Sequence, residues 1–346
     1  MRSELAPPLA ASEPVVIWGA GAMGGSIGAW LHRAGRTVLL VDADEAHVRA
    51  IQRDGLRITG PVDEFTVHPH AALPDQVDPP LRIVLLAVKA HHTEAALDLL
   101  APILAEDGFI VSVQNGLNER AIARRVGVHR TVGCFVNFGA DVLEPGVILR
   151  GNRGAVVVGE LDGADTARIR EVHALMRLFE PDAVLTDNIQ GYLWGKLAYG
   201  AMLFATALTD ASIADVLDSG RHRPLLVELA REVMRVTVAR GIRPEAFDGF
   251  DPRAFAPAAP DAAAAATLDD LVRFNRASAK SHSGVWRDLA VRKRRTEVDA
   301  QIAPIAELGA EVGVDTPLVR RLVELVHDVE EERRPQAWET LDALWG

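Results

Sequence analysis

Val15-Val16-Ile17-Trp18-Gly19-Ala20-Gly21-Ala22-Met23-Gly24 runs an apolar stretch into a Gly-x-Gly-x-x-Gly spacing, and a helix-forming segment follows. In a strand-turn-helix unit the first glycine permits a tight turn, the second lets backbone approach a pyrophosphate, and the third lets helix and strand pack closely. The amides of the helix N-terminus then face the phosphates, which makes Gly19, Ala20, Gly21, Ala22, Met23 and Gly24 the candidate cofactor cradle. A second apolar run, Val38 to Val41, ends in Asp42, 18 residues past Gly24. A carboxylate there can accept the adenosine ribose hydroxyls. The same charge would repel a 2′-phosphate, so the sequence predicts NAD in preference to NADP.

Working outward, short apolar runs alternate with amphipathic stretches. The pattern predicts strands at 15–18, 38–41, 83–88 and 109–113, and helices after Gly21, over 43–53, over 93–104 and from Asn118. Such alternation means right-handed crossovers and a parallel sheet with its ligand edge at the strand C-termini, an α/β Rossmann-type domain over 14–186. Segments 54–61 and 64–69 read as a small excursion before the third strand, and 131–160 as strands broken by Pro-Gly and Gly-Asn turns. From Asp187 strand signal is scarce. Helices are expected over 189–209, 223–240, 264–281, 296–312 and 317–332, giving an all-helical domain over 187–346. The Pro-rich stretch 251–261 reads as a loop, mobile by composition, and Ala262 to Ala266 as the start of a helix.

The bulk composition agrees with this division. A chain of 346 residues is too long for one ordinary core. With 49% hydrophobic and 25% charged residues it should fold as a globule. A net charge of -11 argues against nucleic acid as a partner without excluding a local basic pocket for an anionic substrate. The lone cysteine, Cys134, sits in an apolar strand-like setting and reads as buried and unreactive, which suits the cytoplasm. No run is apolar and uncharged for long enough to span a membrane. The first 13 residues read as a loose tail.

Several polar residues fall where chemistry could occur. Lys89 closes the third strand at the ligand edge, where an ammonium can bind the nicotinamide ribose or a substrate carboxylate, or be an ordinary strand-end charge. His91 and His92 follow as helix-start residues, without the spacing of a metal site, and no metal is expected. Gln114-Asn115-Gly116 lies after the fourth strand. Asn115 offers both an amide donor and a carbonyl acceptor, while Asn-Gly is also a strong turn pair. Lys196 stands in Gly191-Tyr192-Leu193-Trp194-Gly195-Lys196-Leu197-Ala198-Tyr199-Gly200, a helix too apolar for a merely solvated charge. The segment 281–299 carries a basic run that reads as a surface band. Glu297 follows it and is either a substrate-binding carboxylate or a favourable first-turn helix charge.

Together, Gly-Ala-Gly-Ala-Met-Gly-Gly, Leu-Leu-Ala-Val-Lys-Ala with the threonine that follows, Gln-Asn-Gly-Leu, Trp-Gly-Lys-Leu and Arg-Lys-Arg-Arg-Thr-Glu-Val-Asp resemble the ketopantoate reductase (2-dehydropantoate 2-reductase) family from Val15 to about Glu332. The resemblance implies a Rossmann-type domain, a helical C-terminal domain and a substrate cleft between them. It makes Lys196 the general acid that protonates the carbonyl oxygen as hydride arrives. It places Lys89 and Asn115 near the nicotinamide end, and Glu297 on a substrate hydroxyl.

Three departures bear on the substrate and cofactor. Where the family usually carries asparagines four and eight residues beyond the lysine, this chain has Gly200 and Phe204. The serine that commonly binds the substrate carboxylate has Ser283 only as a near counterpart. Ala43 stands where an arginine for the NADP phosphate is common. These changes suit a larger or less polar substrate than ketopantoate and NAD rather than NADP. An alternative is therefore a dehydrogenase oxidising another hydroxy acid or alcohol, with the same lysine acting in reverse. A non-catalytic dinucleotide sensor could keep the glycines and Asp42, but would not need Lys196 and Glu297. Apolar faces of the helical domain could support a homodimer.

Overall fold

The computed structural model describes residues 13–277 and 281–345. The tail expected at the N-terminus and positions 278–280 of the helix expected over 264–281 lie outside the described residues, Glu13 of that tail excepted. The chain divides into two compact units, 1–189 and 190–346.

The first unit opens with β1 (Val15–Trp18), α1 (Ala22–Arg33), β2 (Val38–Val41) and α2 (Glu45–Asp54). Next come β3 (Leu56–Thr59), β4 (Phe65–Val67), β5 (His70–Ala72), β6 (Leu81–Leu86), α3 (Thr93–Leu100), β7 (Leu104–Ser112) and α4 (Glu119–Val126). It closes with β8 (Thr131–Val136), β9 (Ala140–Glu144), β10 (Val147–Arg150), β11 (Val156–Glu160), α5 (Ala167–Phe179) and β12 (Val184–Leu185). The main sheet runs β12-β11-β8-β7-β6-β1-β2-β5 and is parallel throughout except where β11 meets β8. β1 is covered on both faces, which is why Val-Val-Ile-Trp reads as an unbroken apolar run. Val15 and Ile17 pack with Ile27 and Leu31 of α1 and Ile169 and Val172 of α5. Val16 and Trp18 pack with Leu97 and Leu100 of α3 and Ile122 of α4. Each fully buried aliphatic side chain contributes about 1.5–3 kcal/mol.

The expected excursion is larger than the sequence indicated. β3 and β4 join β10 and β9 in a second sheet ordered β4-β3-β10-β9, and β5 adds an edge strand to the first. The helix expected over 93–104 stops at Leu100. Pro102 lies in a 3-10 turn, Ala101–Ile103, and Leu104 already belongs to β7.

In the second unit the helices are α6 (Ile189–Thr206), α7 (Ile213–Asp218), α8 (Arg223–Ala239), α9 (Asp261–Ala277), α10 (Gly284–Ala290), α11 (Val298–Gln301), α12 (Ala303–Glu311), α13 (Pro317–Glu330) and α14 (Trp338–Asp342). The helix expected over 296–312 is two, broken at Ile302, because Pro304 has no N–H to continue the ladder. The Pro-rich stretch is not a loose loop. Pro252–Phe255 forms a 3-10 turn, and the wholly buried Phe255 stacks on Phe250. Aromatic burial holds a segment that its prolines alone would leave open.

Candidate active site

The sheet order places β7, β6, β1 and β2 side by side, so their C-terminal ends form one row. Gly19 and Asp42 are drawn together by pairing of β1 with β2: the Gly19 and Ala20 amides both donate to Val41 O, at 2.8 and 3.1 Å. On the other side, a Cβ on Gly19 would lie 2.6 Å from Val88 N, and its φ of +102° is one that only glycine adopts readily. The chain leaves β1 toward β2 and leaves β6 toward β7, so this contact marks the switch point where open α/β sheets bind ligands.

Each glycine of the fingerprint has its own reason. A Cβ on Gly24 would press 2.9 Å from Ile17 Cγ2 and from Ala87 Cβ, so this glycine lets α1 lie on the sheet. At Gly21 a Cβ would meet nothing within 4 Å, which leaves the turn open to an approaching group. Gly21 is also the N-cap of α1, with no side-chain cap and no acidic residue in the first turn. A half-buried, uncapped N-terminus with its partial positive charge fits a diphosphate. Ala22 and Met23 are half-buried there. Ala20 is buried and both its backbone groups are engaged, so it shapes the turn and does not donate to a ligand.

The partner of Ala20 is a residue that sequence reasoning missed. His47, buried inside α2, accepts the Gly146 amide on Nδ1 at 3.0 Å, which leaves Nε2 to donate to Ala20 O at 3.0 Å. The only signal for it was a histidine on the apolar face of an amphipathic helix. Asp42 is half-buried at the end of β2, and its Oδ1 accepts the Asp44 amide at 3.0 Å. Asp44 in turn caps α2 through the Ala46 and His47 amides.

Lys89 and Asn115 are exposed on neighbouring loops. A buried chain of hydrogen bonds ties those loops together. Gln114 Nε2 donates to Val88 O at 2.9 Å and to Thr93 Oγ1 at 2.7 Å. Thr93 Oγ1 donates to Asn118 Oδ1 at 3.1 Å, and Asn118 Nδ2 to Asn115 O at 2.7 Å. Gly116, at φ +94°, turns the Asn115 loop. Just below, at the start of α4, neither carboxyl oxygen of the buried Glu119 finds a hydrogen bond among the described residues. Burial pushes its pKa up to about 7, which the nearby backbone amide and Ser112 hydroxyl only partly oppose.

In the second unit Lys196 is half-buried while Leu193, Trp194, Gly195, Leu197 and Ala198 around it are buried. Gly195 lets α6 lie against the segment that follows α8, since a Cβ would sit 2.9 Å from Glu245 O. One turn on, Gly200 is half-buried with nothing within 4 Å of its Cβ position. Two residues expected to bind substrate are buried. Phe204 is 2% exposed, with its ring among the buried side chains. Ser283 is buried and caps α10 by accepting the Trp286 amide at 3.1 Å. The basic run is partly neutralised, since Arg292 and Arg294 both pair with the buried Asp288. Glu297 is half-buried at the N-cap of α11, but its side chain makes no cap bond. Cys134 is fully buried in β8.

A strand-turn-helix with glycines in these three places, an uncapped helix N-terminus and an acid closing the next strand defines a Rossmann-type dinucleotide-binding protein. Comparison with known proteins agrees. Residues 15–163 match the family model described as ketopantoate reductase PanE/ApbA, and 188–330 match its C-terminal model. The chain belongs to the ketopantoate reductase family and is an NAD(P)-dependent oxidoreductase. It is 29% identical to a 2-dehydropantoate 2-reductase of Mesorhizobium japonicum over 342 residues, covering 92% of this chain and 98% of that one. A solved 2-dehydropantoate 2-reductase of Geobacter metallireducens superposes with a TM-score of 0.77 at 26% identity, over 93% of this chain and all of the other. A D-mandelate dehydrogenase in complex with NADH and anilino(oxo)acetate has the same fold, with a TM-score of 0.80 at 23% identity over 92% and 99%.

Proposed function

We propose that the protein reduces a 2-oxo acid to its 2-hydroxy acid with NADH as the preferred cofactor, and that Lys196 is the general acid. The observation that carries this reading is Lys196 on a half-buried strip of α6 that it shares with Tyr192, Tyr199 and Gly200, flanked by buried residues, in a chain matched by both family models. The nicotinamide supplies the hydride when bound. Lys196 faces the developing oxyanion, stabilises its charge and delivers the proton from Nζ. Glu297 accepts a hydrogen bond from a substrate hydroxyl, and Asn115 and Lys89 hold the nicotinamide end. The turn from Gly19 to Gly24 holds the diphosphate, and Asp42 accepts the ribose hydroxyls and disfavours a 2′-phosphate. With Phe204 in the core and Ser283 used as a cap, those two residues drop out of the substrate site.

The substrate reading follows from what surrounds Lys196. Gly200 offers open space where the family resemblance implies an amide, so the pocket has fewer hydrogen bonds for ketopantoate and more room. This favours a larger or less polar acid, oxidised or reduced by the same lysine. The fold accommodates such chemistry, since the D-mandelate dehydrogenase neighbour shares it. No helix among the described residues is long and apolar enough to cross a membrane, and we assign the enzyme to the cytoplasm. Lys196→Met tests the proposal. Loss of about 10²–10⁴-fold in kcat with NADH affinity retained is expected, and an unchanged kcat would remove Lys196 from the chemistry.

A further inference from the structure

We propose that Glu330 and His327 of α13 are positioning residues that clamp the chain on both sides of Glu297 and thereby set the affinity for the oxo acid; this rests on the reading of Glu297 as a substrate-binding carboxylate. The clamp begins one residue before Glu297. The amide and the hydroxyl of Thr296 both donate to Glu330 Oε1, each at 2.6 Å. Thr296 Oγ1 also accepts the Val298 amide at 3.2 Å. Two residues after Glu297, Asp299 Oδ1 lies 2.9 Å from His327 Nε2. His327 Nδ1 lies 3.0 Å from Glu330 Oε2, which closes the ring of contacts.

Glu297 is therefore held by its neighbours. Its own carbonyl accepts the Ala300 and Gln301 amides, at 3.1 and 2.9 Å, and fixes the start of α11.

The choice of residues points the same way. The Glu330 side chain is 3% exposed, and burying a carboxylate costs more than burying an apolar group of its size. A leucine would join α13 to the 296–299 segment without that penalty, but it could not fix the Thr296 amide in direction. A recognition carboxylate held in one geometry before the ligand arrives loses less entropy on binding.

The test uses the full-length enzyme and ketopantoate or phenylglyoxylate, whichever the wild type turns over. Glu330→Ala is expected to raise KM for the oxo acid about tenfold while KM for NADH stays within about twofold. Glu330→Gln keeps an acceptor for Thr296 and should recover most of that affinity. In a Glu297→Gln background, Glu330→Ala should add no further increase, because it acts through Glu297. His327→Ala removes the contacts to Asp299 and to Glu330 Oε2 but leaves Glu330 Oε1 on Thr296, and should raise KM about threefold, which keeps the test available where Glu330→Ala does not fold. An unchanged KM, a parallel rise in both KM values with a lower melting temperature, or full additivity with Glu297→Gln would overturn the proposal. If Glu297→Gln alone leaves KM for the oxo acid unchanged, the reading of Glu297 itself fails and the clamp has no substrate role.

Discussion

Asp42 and Glu119 are both carboxylates at strand or helix ends on the ligand edge, and their surroundings give them opposite behaviour. Asp42 is half-exposed and takes the Asp44 amide on one oxygen, so its charge is available to a ribose. Asp42→Ala should lower the ratio of kcat/KM for NADH over NADPH by about tenfold, mainly through NADPH becoming tolerated. Paired steady-state assays with the two cofactors measure it. Glu119 is sealed under the Asn115 loop, and its pKa rises from 4.5 to about 7. The folded state thus holds its proton over a range where the unfolded chain has released it. Stability from this group is fully present below about pH 4.5, declines as pH rises, and is lost above about pH 7, a swing of roughly 3 kcal/mol. Glu119→Gln carries no proton to release, so its denaturant midpoint should fall less than that of wild type between about pH 5 and 8. An equal fall in both proteins would mean that Glu119 is solvated.

Among the elements, α1 depends on the absence of side chains where it meets the sheet. Gly24→Ala would place a methyl group 2.9 Å from Ile17 Cγ2 and Ala87 Cβ, forcing the helix outward. We expect a loss of about 1–3 kcal/mol in stability and a weaker NADH Kd, measured by denaturant titration and by nucleotide fluorescence. The loops of Lys89 and Asn115 depend on Thr93, and Thr93→Val would leave Gln114 Nε2 with its Val88 bond alone and Asn118 Oδ1 without the Thr93 hydroxyl. A cost of about 1–3 kcal/mol is expected, together with a higher KM for NADH. Period and punctuation made the central elements legible: β1 and β2 start and end where the apolar runs do. The second sheet was not legible as one, because its strands are three to five residues long and its two local pairs, β3–β4 and β9–β10, are joined only by β3 pairing with β10 across the sequence. Nothing local encodes that pairing.

For the molecule as a whole, the reaction class was more legible than the substrate. The glycine turn, Asp42 and Lys196 stand out as candidates because each breaks the local pattern, by lacking a side chain or by placing charge beside apolar residues, and Glu297 because it is the acid that follows a basic run. The burial of Phe204 could not be read from spacing, since it depends on neighbours distant in sequence, whereas the Ser283 cap is local, a serine three residues before the Trp286 amide it accepts. His47, Thr93, His327 and Glu330 support other residues from the interior or from another helix, and their roles appear only once hydrogen bonds are traced. The decisive measurement is kcat/KM for ketopantoate and for phenylglyoxylate, each with NADH and with NADPH. The account predicts turnover with NADH favoured over NADPH, and the bulkier, less polar acid favoured over ketopantoate. Failure to reduce either acid, or a clear preference for NADPH with ketopantoate, would contradict it.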